Sequence, residues 1–134
     1  MNREQGRAMA AHRHVTAIVC RSEAERKRYA TVIYQTIPLV RNAGLVQALE
    51  FLHALSNQEK REAAAEFVDQ LAEQLKAMVA EIQDGESLRR YAREQTDLQK
   101  YLLLTREIMA ALVWYRRFVQ SILKIEPTND EDDA

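Results

Sequence analysis

The stretch 37-IPLVRNAGLVQALEFL-52 places a proline and a glycine six residues apart in a segment that otherwise has the apolar pattern of a helix. Proline lacks a backbone N–H and clashes with the preceding turn, and glycine loses more backbone entropy on folding than other residues. The whole chain has only two prolines and three glycines. Pro38 and Gly44 so close together predict that the chain changes direction here.

Two interpretations of this corner are open. In the first, Thr36 caps a short new helix with Pro38 in its first turn, and Gly44 ends that helix in a left-handed conformation. In the second, one helix bends at Pro38, and Gly44 lets a neighbouring element approach, with Ala48 one turn further on. Both interpretations predict that an apolar stripe follows the corner and packs on the last helix, formed by Leu45, Ala48, Leu49, Leu52 and Leu55.

The composition predicts an all-α protein. Of 134 residues, 47% are hydrophobic and 29% are charged, as in a folded globular protein. Good helix formers dominate the sequence, and no segment has a strand pattern of any strength. We expect a compact helical bundle of five to seven helices, forming a single domain over residues 1–125. Residues 126–134, EPTNDEDDA, form an acidic tail whose composition predicts disorder.

Capping signals predict the early helix boundaries. A first, weakly amphipathic helix is expected over about residues 3–19. Ser22 with Glu25 and Ser56 with Glu59 are capping boxes that predict two further helix starts. The helix that starts at Ser56 is expected to end at Asp84-Gly85, with the glycine in the left-handed position after its last turn.

The last helix is predicted from its cap and its apolar content. Thr96 or Asp97 caps its start, and Pro127 prevents it from continuing beyond about Ile125. Its apolar residues occupy most sides of the helix. We therefore expect the last helix to be the central and most buried element.

The sequence lacks the patterns of enzymes and metal sites. His12 and His14 point in divergent directions on a helix, and His53 has no Cys or acid in helical register, so these histidines are expected at the surface or in packing. The single Cys20 excludes an internal disulfide and is expected to be a small core residue. Since a phosphate-binding glycine loop and a nucleophile elbow are also missing, we expect no catalytic residue, cofactor, metal or small-molecule substrate.

The N-terminal segment MNREQGRAMAAHRH has neither the apolar core nor the cleavage site of a secretory signal. No apolar run approaches the roughly 20 residues that a membrane span needs. The sequence therefore predicts a cytoplasmic protein without a membrane partner.

The net charge of −1 conceals a segregation of charge. The last nine residues hold five acids and no base, and residues 57–83 hold six acids and three bases. The rest of the chain holds 16 bases and nine acids, so part of the surface can bind a polyanion.

Basic residues recur on the faces of two predicted helices. Spacings of eleven and eighteen residues return to one edge of a helix, so Arg106, Arg117 and Lys124 share an edge of the last helix. Lys27, Tyr34 and Arg41 recur every seven residues on one side of the second helix if it continues past Pro38, so an aromatic residue accompanies the cations there. Spaced cations suit a phosphate backbone, although an ordinary solvated face remains the alternative. The candidate nucleic-acid-binding residues are Arg26, Lys27, Arg41, Arg106, Arg116, Arg117 and Lys124.

Two longer motifs allow a comparison with a known family. The first is Tyr29-x8-Pro38-x5-Gly44-Leu45-x-Gln47-Ala48-Leu49-x-Phe51-Leu52, and the second is Tyr101-x3-Thr105-x-Glu107-x6-Trp114-x2-Arg117-Phe118. In their order, their separation and the total chain length, they resemble the small subunit of the type III-B CRISPR effector, the Cmr complex. Most motif residues are apolar and are interpreted as packing positions: Tyr29, Pro38, Gly44, Leu45, Ala48, Leu49, Phe51, Tyr101, Trp114 and Phe118.

The resemblance implies a small helical subunit without catalytic activity of its own. Its implied partners are the large and backbone Cmr subunits, further copies of itself, and the crRNA and target RNA of the assembled complex. Copies that stack head to tail need two different complementary surfaces, and the acidic helix within residues 57–83 could supply one of them. The alternative is a stand-alone helical dimerisation or adaptor protein that binds no nucleic acid.

Overall fold

The computed structural model describes residues 2–55 and 61–128. These residues form six α-helices and a final π-helical turn, and they contain no β-strand. The helices are α1 (Arg3–Thr16), α2 (Glu23–Ala43), α3 (Leu45–Ala54), α4 (Arg61–Leu75), α5 (Gly85–Glu94) and α6 (Leu98–Phe118), and the π-helical turn is Val119–Leu123. The prediction of an all-α bundle of five to seven helices is confirmed. The proposed capping box at residues 56 and 59, and residues 129–134 of the acidic tail, lie outside the described residues.

The corner between α2 and α3 differs from the first interpretation of the sequence. Helix α2 continues through Pro38 to Ala43, so Pro38 does not start a new helix and Thr36 does not cap one. Thr36 instead donates its hydroxyl hydrogen bond to the Val32 carbonyl within α2. Gly44 lies between the two helices with φ +92° and ψ 165°, a conformation that is essentially restricted to glycine.

The backbone conformation at position 44, and not crowding by neighbouring atoms, explains why this residue is a glycine. A Cβ atom built on Gly44 would have the Tyr101 hydroxyl at 3.9 Å, which is an ordinary contact. The Gly44 N–H donates to the Val40 carbonyl at 3.0 Å, and its own carbonyl accepts from the Ala48 N–H at 3.0 Å. A single residue therefore ends α2 and begins α3.

The role predicted for Gly85 is wrong. Helix α4 ends at Leu75, and Asp84 is the N-cap of α5, where it accepts from the Ser87 N–H at 2.8 Å. Gly85 is the first residue of α5, and its N–H donates to Asp69 Oδ1 of α4 at 2.7 Å. A Cβ at Gly85 would lie 2.8 Å from both Asp69 Oδ1 and a Val68 methyl group. The glycine therefore permits close packing of α5 on α4.

Helix α6 starts where the sequence predicts, because the Asp97 carboxylate accepts from the Gln99 N–H at 2.9 Å and from the Lys100 N–H at 3.2 Å. The helix is less buried than expected. Its first half exposes 68% of Leu98, 52% of Leu102 and 43% of Leu103, and α2 contributes more buried residues to the core than α6.

Three further expectations are corrected. The stripe from Leu45 to Leu55 is buried, but α3 packs mainly on α2, α4 and α5 and not on α6. Phe51, expected in packing, is 42% exposed. Cys20 is exposed in the turns that follow α1, which ends at Thr16 and not at residue 19.

A polar junction joins α1, α4 and α6 inside the bundle. His14 is buried, with Nδ1 2.8 Å from the Tyr115 hydroxyl and Nε2 2.6 Å from Glu73 Oε2. The Gln74 amide donates to the same tyrosine hydroxyl at 3.2 Å. Arg13 reaches the other Glu73 oxygen at 2.5 Å. Burial raises the pKa of the Glu73 carboxyl, but the hydrogen bond and charge of His14, together with Arg13, hold it below its ordinary value.

The glycine of the corner gives a stability prediction. Gly44→Ala should lower the free energy of unfolding by about 1–3 kcal/mol, because alanine is strained at this positive φ. Gly6→Ala is the matched control, since a Cβ at Gly6 of α1 has no neighbour within 4 Å among the described residues. Alanine should stabilise that helix by up to about 1 kcal/mol. Urea denaturation of both variants tests the difference, and equal midpoints would contradict it.

The polar junction gives a pH prediction. A carboxyl with a lowered folded-state pKa stabilises the protein above its ordinary pKa of 4.5, and that stability is lost as the pH falls through the folded-state pKa. Glu73→Gln should therefore destabilise the protein at neutral pH and flatten the loss of stability that the unchanged protein shows as the pH falls below 4.5. The control is Glu62→Gln at an exposed site on α4. Parallel acid profiles for Glu73→Gln and the unchanged protein would refute the junction's role.

Candidate nucleic-acid interface

An open groove runs between α2 and α6. The two helices are antiparallel: Tyr34 near the middle of α2 contacts Arg116 near the end of α6, and Tyr101 near the start of α6 contacts Val46 just beyond α2. The groove has a volume of about 580 Å³. It is lined by Ile37, Pro38, Arg41, Met109, Leu112, Val113, Arg116, Arg117 and Gln120.

The groove is electropositive because its lining among residues 2–55 and 61–128 includes three arginines and no carboxylate. The Arg116 guanidinium lies 5.1 Å from the centre of the Tyr34 ring, and that of Arg117 lies 5.7 Å from the Trp114 ring. Arg41 and Arg117 are exposed, and neither has an ion pair within residues 2–55 and 61–128. The guanidinium group of the exposed Arg117, held beside the Trp114 ring, suits a phosphate oxygen. We call this site the arginine groove.

Two predicted residues at the start of α2 have structural partners instead. The Arg26 guanidinium donates to the Val19 carbonyl at 3.4 Å and to the Arg21 carbonyl, so it binds the chain that connects α1 to α2. Lys27 pairs with Glu23 one turn earlier at 3.0 Å. The structure thus separates both residues from the arginine groove.

Arg106 and Lys124 are also outside the arginine groove. Arg106 lies eleven residues before Arg117, about 16 Å away along α6, in a shallow depression with Leu102 and Leu103. Lys124 follows the π-helical turn and has a left-handed φ of 60°. The predicted common edge assumed an unbroken α-helix, and the π-helical turn ends that register.

The carboxylates of α4 are largely used within the subunit. Glu66 binds Arg21 through two hydrogen bonds of 2.6 and 2.7 Å, Asp69 accepts from Gly85, and Glu73 contacts His14 and Arg13. The stacking surface expected on this acidic helix stays a prediction, and three of its acids have partners in the same chain.

Other site types find no support in the described part of the chain. Residues 2–55 and 61–128 contain no cluster of three or more His, Cys, Asp or Glu side chains placed to hold a metal. Within the same ranges, no helix combines the length and the apolar character required to span a bilayer.

Sequence reasoning predicted only one of the two aromatic rings that support the groove. Helical spacing predicts Tyr34 on the same side of α2 as Arg41, but it does not predict the ring of Trp114 or that each ring carries an arginine side chain. The spacing of Trp114 and Arg117 is i to i+3, which brings side chains together on a helix and could have indicated that pair. The contact between Tyr34 and Arg116 joins two helices and has no local signal.

Comparison with known proteins identifies the family. A family model described as CRISPR-associated protein (Cas_Cmr5) matches residues 3–122. The chain belongs to the Cmr5 family. The CRISPR system Cmr subunit Cmr5 of Thermus thermophilus is 35% identical over 99 residues, which cover 74% of this chain and 78% of that protein.

The fold agrees with this assignment. The crystal structure of a CRISPR-associated Cmr5 family protein from Thermus thermophilus matches with a TM-score of 0.75 and 33% identity, over 92% of this chain and 98% of that chain. Membership in the Cmr5 family makes the chain a small subunit of a type III-B Cmr complex, which assembles with other Cmr subunits. The resemblance found in the two sequence motifs is confirmed.

The different environments of Arg26 and Arg41 lead to a stability prediction for this member of the Cmr5 family. Arg26→Ala should lower the free energy of unfolding by about 1 kcal/mol, because two backbone carbonyls lose their donor. Arg41→Ala, at an exposed site, should change it by less than about 0.5 kcal/mol. Thermal denaturation of the two variants tests the contrast, and a larger loss in Arg41→Ala would reverse the assignment.

Proposed function

We propose that this subunit is a non-catalytic structural component of the Cmr effector whose arginine groove binds the sugar-phosphate backbone of single-stranded RNA. The observation that carries the proposal is a groove that the described residues line with three guanidinium groups and no carboxylate. Binding of this kind depends on charge and not on base edges, so it has little sequence preference. The bound strand is the guide or the target RNA.

We include stacking of identical copies in the proposal. The exposed leucines at the start of α6 (Leu98, Leu102 and Leu103) form an apolar surface at one end of the helix, and the arginine groove lies towards the other end. An apolar surface can join a neighbouring subunit while the cations remain free for RNA. Repetition along the complex would then multiply weak contacts to one strand. The cytoplasmic location predicted from the N-terminal sequence fits this role and stays a prediction.

The exposed leucines also bear on the alternative of a stand-alone adaptor. An adaptor could use the same surface to bind a partner, but membership in the Cmr5 family favours a subunit of the Cmr complex. The arginine groove distinguishes the two functions further, because an adaptor that binds no nucleic acid has no need of it.

Charge reversal in the groove tests the RNA contact. In a reconstituted Cmr complex, Arg41→Glu with Arg117→Glu should weaken retention of single-stranded target RNA by about tenfold. If each arginine neutralises one phosphate, the slope of log affinity against log salt should fall by about 1.4. Arg106→Glu, tested separately, shows whether the interface extends along α6.

The matched control is Arg90→Glu, an exposed arginine on α5, which packs on α3 and α4 away from the groove. Co-purification of all subunits shows that assembly is intact. An intact complex that retains RNA equally in the groove variant and the control would disprove the proposed RNA contact.

A further inference from the structure

Three aromatic rings form a row where α1 packs on α6. The imidazole of His12 meets the ring of Phe118 edge to face, with 5.2 Å between the ring centroids. The Phe118 ring is inclined by 26° to the ring of Trp114, with 5.8 Å between their centroids. The Arg117 guanidinium lies 5.7 Å from the centroid of the Trp114 ring and also lines the arginine groove. We call His12, Phe118 and Trp114 the aromatic row, which begins on α1 and ends beside the groove.

Packing within the subunit explains only part of the aromatic row. Trp114 and Phe118 are partly buried against the core, whereas His12 and Arg117 at the two ends of the row are exposed. A cation–π contact at an exposed site is weak compared with a charge-assisted hydrogen bond between a guanidinium and a phosphate. Arg117 can therefore leave the indole ring when a phosphate enters the arginine groove, and the part of the ring that it covers becomes accessible.

The acids of the two helices that form this surface are either paired or distant from the aromatic row. Glu107 is the single acid of α6, and it binds Arg3 at 2.8 Å and Arg7 at 2.7 Å. Glu4 is the single acid of α1 and lies eight residues before His12, about 12 Å away along the helix. A phosphate chain can therefore follow the groove past the row without meeting an unpaired carboxylate of α6.

We propose that a nucleobase of the bound RNA stacks on Trp114 in the position that the Arg117 guanidinium occupies in the free subunit, and that Arg117 turns to a phosphate in the arginine groove. The stacked ring can belong to any nucleotide, because every base has a π-face. This proposal rests on the RNA-binding function proposed above. It adds a base contact to an interface that otherwise consists of phosphate contacts alone.

The neighbouring rings prepare Trp114 for this contact. Phe118 restricts the rotation of the indole, and the His12 imidazole restricts that of Phe118 in turn. A ring that is already ordered loses little conformational entropy when a base stacks on it, which favours binding. The bases of a duplex are stacked on one another and cannot reach the indole, so the contact selects single-stranded RNA.

The fluorescence of Trp114 tests the stacking directly, because this residue is the single tryptophan of the chain. The probes are oligoadenylate and an abasic oligomer with the same number of phosphates, each titrated into the full-length free subunit at low salt. We expect oligoadenylate to quench most of the emission and the abasic oligomer to quench little of it. The abasic oligomer should also bind more weakly, by about fivefold or more. Equal quenching by the two oligomers, or no binding of oligoadenylate, would overturn the stacking.

Substitutions at Trp114 separate stacking from packing, with binding measured by the fluorescence anisotropy of labelled oligomers. Trp114→Leu should weaken oligoadenylate binding by about fivefold or more, and Trp114→Phe, which keeps a ring, should retain most of the affinity. Neither change should alter binding of the abasic oligomer. The control is Phe51→Leu, which removes an exposed ring on α3 and should leave both affinities unchanged. If Trp114→Leu lowers both affinities equally, or changes neither, Trp114 only packs and the stacking is overturned.

The variant Arg41→Glu distinguishes this proposal from the function on which it rests. If only the stacking fails, both oligomers bind the unchanged subunit with equal affinity, and Arg41→Glu weakens both. If the proposed function fails, Arg41→Glu leaves both affinities unchanged, as the control Arg90→Glu should in either case, and the stacking proposal falls with it. A preference for oligoadenylate over the abasic oligomer, together with weaker binding of both in Arg41→Glu, supports both proposals.

Discussion

The buried imidazole of His14 is the group on which the arrangement of the helices depends. Both ring nitrogens lie within hydrogen-bonding distance of a partner, one on α4 and one on α6. An unpaired polar group in this position costs about 1–3 kcal/mol, so the three helices cannot slide past one another without losing that energy. Because Tyr115 is fixed towards α1 and α4, the next two residues of α6, Arg116 and Arg117, face away from this junction and line the groove with α2. A polar contact in the core thus positions the cations on the surface.

The sequence predicts those parts of the fold that local physics decides. A positive φ at Gly44 belongs to one of the two interpretations that the sequence leaves open, whereas the cap at Asp97 and the all-α class follow from residue type and spacing. The role of Gly85 does not, because an aspartate followed by glycine suits both a helix end and a helix start. The choice depends on the contact with Asp69, sixteen residues away. Hydropathy likewise predicts Leu102 in the core, but 52% of this residue is exposed. An apolar helix face has the same sequence pattern whether it packs within its own chain or against a partner.

The candidate site also combines residues that local spacing predicts with residues whose role depends on tertiary contacts. Helical spacing predicts Arg41, Arg116 and Arg117, and they lie together because α2 is continuous and packs antiparallel to α6. Arg26 has the same residue type but binds backbone carbonyls in a turn, and no sequence pattern distinguishes such an arginine from one that faces solvent. The prediction for Lys124 extends an ideal helix through a segment that adopts another helical form.

The number of residues in the π-helical turn Val119–Leu123 determines where the segment after it lies. Such a turn holds one residue more than the α-helical turn it replaces, and each residue rotates the helix by about 100°. A chain one residue shorter here could continue as a regular α-helix, and Ile125 would then point away from Tyr34. A single-residue insertion or deletion in this turn would therefore rotate the segment that follows it by about 100° around the helix axis. The spacing between α6 and Ile125 thus sets where the backbone carbonyl that accepts from Tyr34 lies.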